Sequence, residues 1–145
     1  MKVQQLSIFL ENKSGRLAEI ANILTTSAVN IRTATLADTS DFGVVRLIVD
    51  DVDKAALALR EEGITAIKTD IVVVETSDQP GGLAHILNAI SQKKLNVEYL
   101  YSIGTRENKA FIALRFDQPD PAIRALTEAG VKVVSREELR AQSLA

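Results

Sequence analysis

Glu11-Asn-Lys-Ser-Gly-Arg-Leu-Ala-Glu-Ile-Ala-Asn-Ile-Leu24 and Ser77-Asp-Gln-Pro-Gly-Gly-Leu-Ala-His-Ile-Leu-Asn-Ala-Ile90 are one stretch written twice. Gly15 meets Gly81, 66 positions on, and Leu17/Leu83, Ala18/Ala84, Ile20/Ile86, Asn22/Asn88 and Asn30/Asn96 keep that spacing. Further along, Asp50/Asp117, Asp53/Asp120, Ala55/Ala122, Leu59/Leu126 and Gly63/Gly130 are 67 apart. The change predicts one inserted residue in the second copy, near Arg106 to Lys109, where a turn tolerates it. Two copies make a duplicated domain; a solenoid needs three or more.

Within each copy the hydrophobic period switches. Val3 to Leu10 alternates, with Leu6, Ile8 and Leu10 on one face, and reads as a strand. Leu17, Ile20, Ala21 and Leu24 recur at helical spacing, so Arg16 to about Ser27 reads as an amphipathic helix. Ile31 to Ala37 and Gly43 to Val49 flank the polar turn Asp38-Thr-Ser-Asp41 and form a hairpin. Asp50-Asp-Val-Asp53 supplies caps for a helix through Glu62, which Gly63 closes, and Ile64 to about Thr69 is the last strand. The second copy repeats the series over Asp70 to Glu75, Leu83 to Lys93, Val97 to Ser102, Ala110 to Phe116, Pro121 to Ala129 and Val131 to Ser135. Pro121, behind Asp120, suits a first helical position. The order is βαββαβ twice, so the fold class is α+β: two ferredoxin-like units in tandem, antiparallel sheets with the helices on one face. The units are residues 1–69 and 70–136, followed by a charged tail, 137–145, that forms a short helix or frays. The apolar stripes place Leu6, Ile8, Leu17, Ile20, Leu24, Val45, Leu47 and Leu59 in one core. Val72, Val74, Leu83, Ile86, Ile90, Ile112, Leu114 and Leu126 are their counterparts.

Composition removes several functions. The 145 residues carry 17 Lys plus Arg against 19 Asp plus Glu, a net charge of −2, which argues against binding nucleic acid through its phosphates. Aromatic residues make up only 4%, too few for recognition by stacking. The absence of Cys removes disulfides, thiolate metal sites and thiol nucleophiles, and the lone His85 cannot build a metal site or a relay. No cofactor is expected. The first apolar run is broken at Glu11 and does not read as a signal peptide, and the longest stretch without a formal charge, Gln79 to Gln92, is too short for a membrane span, so no membrane partner is expected and a cytoplasmic protein is the default.

The informative loops are the first strand-to-helix turns. Each places glycine where a helix begins, and free N–H groups at the positive helix end form an anion site there. A plain cap explains the same residues equally well: Ser14 is a good N-cap and glycine allows the turn. Gly15, Gly81 and Gly82 also let another group approach the backbone. Asn30 and Asn96 each follow a helix and open a strand; either they terminate the helix in a left-handed conformation, or they offer an amide to a polar ligand. His85 lies off the apolar stripe and reads as solvated. Tyr99 and Tyr101 share one strand face. No nucleophile–base pair emerges, so no catalytic residue and no enzyme activity are assigned.

Taken together, Leu10-Glu-Asn-Lys-Ser-Gly-Arg-Leu-Ala18, Val29-Asn-Ile31, Asp38-Thr-Ser-Asp-Phe-Gly43, Asp78-Gln-Pro-Gly-Gly-Leu-Ala84 and Leu95-Asn-Val-Glu-Tyr-Leu-Tyr101 resemble the ACT family of amino-acid-binding regulatory domains, as a tandem pair covering about Val3 to Ser135. The resemblance implies a ligand at a seam between two ACT units, where the first loop of one faces the opening of the second strand of its neighbour. It implies Asn12, Gly15 and Leu17 as ligand-binding residues in the first copy, and Asp78, Gly81 and Leu83 in the second. Asn30 and Asn96 match the asparagine across the seam. Ser14 stands where the family usually has the proline that Pro80 keeps. The two repeats consume the stretch, so the resemblance implies an allosteric sensor of a free amino acid with no catalytic domain of its own. It would act as a homodimer and on a separate enzyme or regulator. A ligand-free structural or protein-interaction module remains the alternative. Acylphosphatase chemistry and RNA binding on the same fold lack their residue patterns here.

Overall fold

A computed structural model describes residues 1–38 and 41–142, the Asp38 side chain excepted. The elements are β1 (Val3–Glu11), α1 (Arg16–Thr26), β2 (Ile31–Asp38), β3 (Phe42–Val49), α2 (Val52–Glu61) and β4 (Ala66–Ser77), then α3 (Gly82–Ser91), β5 (Val97–Arg106), β6 (Lys109–Phe116), α4 (Pro119–Glu128), β7 (Lys132–Val134) and α5 (Arg136–Ala141). The chain divides into two compact units. The first is Gln4–Thr69; the second starts at Asp70 and includes Met1–Val3. Thr39 and Ser40 of the polar turn lie outside the described residues.

The fold is α+β, two ferredoxin-like units, as the doubled βαββαβ pattern predicts. In the first, β3 runs antiparallel between β1 and β2, with Leu6 opposite Leu47 and Ala34 opposite Leu47 on the other side. The start of β4 flanks β1, where the Ser7 and Thr69 hydroxyls lie 3.5 Å apart. In the second, the order is β5-β6-β4-β7, all antiparallel, with Val72 opposite Leu114. One expectation fails at the junction. The predicted strands 64–69 and 70–75 are a single strand of 12 residues, since no glycine or proline interrupts Ala66–Ser77.

Each unit has its own apolar core between one sheet face and two helices. Leu6, Ile8, Ile20, Leu24, Val45, Leu47, Ala55 and Leu59 meet in the first; Val72, Val74, Ile86, Ile90, Ile112, Leu114, Phe116 and Leu126 meet in the second. Leu17 and Leu83 do not join them. They are 46% and 40% exposed, which corrects their expected place in the core. Both sit in the first helical turn, just past the end of the preceding strand. Periodicity gives a side chain's angle around the helix, not whether a sheet extends beneath it.

Two local corrections follow from backbone geometry. The β5–β6 hairpin turns on Glu107 and Asn108, both with positive φ (50° and 64°), a two-residue turn of the kind that matches strand twist. The inserted residue of the second copy is not in that turn. Ser102 faces Ile112 and Gly104 faces Phe111, so Ile103 is the extra residue, a bulge within β5. Pro119, not Pro121, takes the first position of α4 behind Gln118. The tail does form a helix. Ser135 caps α5 by accepting from the Glu138 N–H at 3.1 Å, Lys132 pairs with Glu138 at 3.3 Å, and Leu139 is buried.

Candidate functional site

In both units the helix after the first strand begins on a glycine in the left-handed region: Gly15 at φ 88° and Gly81 at φ 93°. A Cβ at either would meet nothing within 4 Å, so glycine is there for its backbone conformation, not for space. Neither helix has a side-chain cap. Ser14 therefore does not cap α1; Gly15 occupies the cap position and a glycine has no oxygen to offer. The N–H groups of the first turn, Leu17 and Ala18 in one unit and Leu83 and Ala84 in the other, are left for an outside acceptor. Leu17 and Leu83, exposed, stand beside them.

The loops differ in charge. Lys13 pairs with Glu11 at 2.7 Å, and Arg16 lies 3.6 Å from Glu11 and 3.2 Å from Glu19. The hydrogen bond and charge of Lys13, with Arg16 beyond, hold the Glu11 carboxyl below the usual glutamate range. The first loop is thus an electrically balanced network rather than a bare cationic patch. In the second loop, Asp78 is exposed, its N–H donates to the Asn108 carbonyl at 2.9 Å, and Pro80 brings no N–H.

Asn30 and Asn96 are held alike. The Asn30 N–H donates to Asp50 Oδ1 at 3.0 Å and the Asp50 N–H returns to the Asn30 carbonyl at 3.2 Å; Asn96 and Asp117 repeat the clamp at 3.3 and 3.4 Å. The left-handed residues that end the helices are Ala28 and Lys94, each at φ 56°, so termination is not the task of either asparagine. Both are exposed with their backbones fixed. The structure does not bring them to the loops of their own unit. α1 has 11 residues, so about 16 Å of helix separates Gly15 from its far end near Asn30. His85 is exposed, and Tyr99 and Tyr101 are half-buried on the face opposite the core. Among the described residues no His, Asp and Glu side chains gather to hold a metal ion, and no helix is long and apolar enough to cross a membrane.

The sequence reading missed a cleft of about 370 Å³ in the first unit, lined by Phe9, Leu10, Glu11, Arg16, Glu19, Ile20, Phe42, Gly63, Ile64 and Thr65. Its signal was present: Phe9 breaks the polar side of the alternation in β1.

Residues 1–142 match the family model described as an ACT domain pair. The chain is similar to protein BT0572 from Bacteroides thetaiotaomicron, with 37% identity over 96% of each chain and a TM-score of 0.90. It is similar in fold to the regulatory subunit of aspartate kinase from Thermus flavus and from Thermus thermophilus. Each is 18% identical over 88% of this chain and 92% of that one, with TM-scores of 0.59 and 0.61. No curated protein matches. With two βαββαβ units that repeat loop for loop and a family match over residues 1–142, the chain belongs to the ACT family as a domain pair.

Proposed function

We propose that the chain is a cytoplasmic regulatory sensor that binds a free amino acid where ACT units meet. What carries this reading is the repeated pair of uncapped helix starts, each with an exposed leucine beside it. An α-carboxylate accepts from the first-turn N–H groups, where the helix dipole favours negative charge. The leucine gives an apolar wall. The loop group is Asn12, Gly15 and Leu17 in one unit, and Asp78, Gly81 and Leu83 in the other. The α-ammonium needs oxygen acceptors, which the amides of Asn30 and Asn96 supply. Because a helix length separates loop and asparagine within a unit, the two groups serve one ligand only when they come from different units. Binding then depends on how units pack, and a ligand shifts the population of assemblies. The working assembly is a homodimer, and its readout is a separate enzyme or regulator.

The seams are not equivalent in this reading. The balanced Glu11–Lys13–Arg16–Glu19 network leaves the first loop to act through its N–H groups. Asp78 instead takes an ammonium, so one amino acid prefers one seam. Thermal-shift screening of the twenty amino acids, then calorimetry on the native chain, Asn12→Ala and Asp78→Ala, tests this. Stabilisation by a small set of amino acids with unequal losses in the two variants is expected. No binding by any amino acid, or equal losses, overturns it. Light scattering that reads a monomer at micromolar concentration overturns the dimer.

A further inference from the structure

The repeat aligns Arg16 with Gly82, and the two positions are not interchangeable. Gly82 is buried against the end of β4: a Cβ there would stand 2.4 Å from the Ser77 carbonyl oxygen. Thr76 latches the contact by donating from Oγ1 to the Gly82 carbonyl at 3.2 Å. The start of α3 is therefore closed onto its strand. Arg16 carries a Cβ, and Leu10, aligned with Thr76, has no hydroxyl. The start of α1 cannot close onto β1 in that way, and its first turn borders the cleft of about 370 Å³. Its size is at the small end of ligand sites.

The lining sorts by chemistry. Leu10, Ile20 and Ile64 give an aliphatic interior, and Phe9 and Phe42, 67% and 58% exposed, give aromatic walls. Glu11, Arg16 and Glu19 supply charges of both signs at the rim, joined by ion pairs whose side chains are all nearly half exposed. Exposed pairs of this kind are worth roughly 0–1 kcal/mol, so an incoming group can displace them.

We propose that this cleft is a second ligand site, complete within the first unit, for a small zwitterion with a bulky aliphatic or aromatic body. The carboxylate of the ligand takes Arg16, its ammonium takes Glu11 and Glu19, and its body packs between Phe9, Phe42 and Ile64. The site needs no second unit, since every lining residue belongs to the first, although it shares Glu11, Arg16 and Glu19 with the network beside the seam loop. In the second unit Glu75 replaces Phe9 and Lys109 replaces Phe42, and those two pair with each other at 3.3 Å.

Methyl NMR on the full chain tests the proposal with leucine, phenylalanine, and the single-charge analogues isovalerate and isoamylamine. Leucine and phenylalanine should move the Leu10 and Ile64 methyls saturably. Both analogues should bind at least about tenfold more weakly, the scale of one lost charged hydrogen bond. Arg16→Gly, which installs the residue of the second unit, should weaken binding by about tenfold or more. Phe9→Glu, at an exposed position that the fold does not depend on, should do the same and serves even if Arg16→Gly misfolds. Still Leu10 and Ile64 methyls overturn the proposal. If the Leu17 and Leu83 methyls move meanwhile, the seam reading survives it. Equal affinity for the analogues, or undiminished binding by Phe9→Glu, also overturns it.

Discussion

The two units have matching cores of their own and differ on the other face of the sheet. In the second, Ile71, Val73, Phe111, Ala113 and Val134 lie opposite the core and are all buried. α5 leaves β7 beside them, buries Leu139, and ends where Arg106 of β5 donates to the Gln142 carbonyl. In the first, the same face carries Ser7, Thr35 and Arg46 in one row, with Phe9, Phe42 and Ile67 exposed. Ile67 shares that face because it is two residues before Thr69, whose hydroxyl meets Ser7. Duplication preserved what the inner face needs and released the rest. A core admits few changes because each neighbour is packed against several others. A surface position admits many, and Phe9 and Phe42 stand where the second unit has Glu75 and Lys109.

The largest expected effect tests the shared part. Leu59→Ala and Leu126→Ala, both fully buried, should each cost about 2–5 kcal/mol in urea unfolding. Costs that differ by more than this range would show that the cores are not equivalent. The next tests the difference. Gly82→Ala forces a Cβ against a backbone oxygen and should cost about 1–3 kcal/mol, whereas Arg16→Gly should stay within about 1 kcal/mol. Similar costs would remove the basis for an α1 that does not close onto its strand.

Smaller still, Leu17→Ala and Leu83→Ala should change stability by no more than about 0.5 kcal/mol, as exposed positions do, while weakening amino-acid binding. A loss of 2 kcal/mol or more, roughly the cost of a buried leucine, would mean that an assembly covers them. The smallest effect is in acid. The hydrogen bond from Lys132, with those of Ser135, holds the Glu138 carboxyl below its ordinary range despite some desolvation. A carboxyl lowered by folding contributes stability above its unfolded pKa, about 4.3, and loses it as pH falls through the folded value. Leu139 methyl signals should therefore broaden below about pH 4.3, where the cap and pair of α5 weaken. Glu138→Gln should abolish that dependence. Unchanged Leu139 signals through this range would separate α5 docking from the ion pair.

The amino-acid order alone determined the duplication, the βαββαβ series and most of both cores. These rest on spacing, and spacing survives in one dimension: Leu6 and Ile8, or Ile20 and Leu24, face one way whatever lies around them. The loop glycines were legible for the same reason, since few residues other than glycine take the left-handed turn before α1 and α3. What only the tertiary structure decided is how far each element reaches and what meets its ends. Leu17 fits the stripe but overhangs the sheet, Ser14 precedes the helix but does not cap it, and Lys13 and Arg16 are cations already paired. Ile103, not the turn, absorbs the extra residue, because a bulge keeps the strand pairing on both sides of it. The glycine at 82 reads in sequence as freedom and in space as its opposite, a contact too close for any side chain. Distances across the fold depend on every element between two residues, and no local period encodes them.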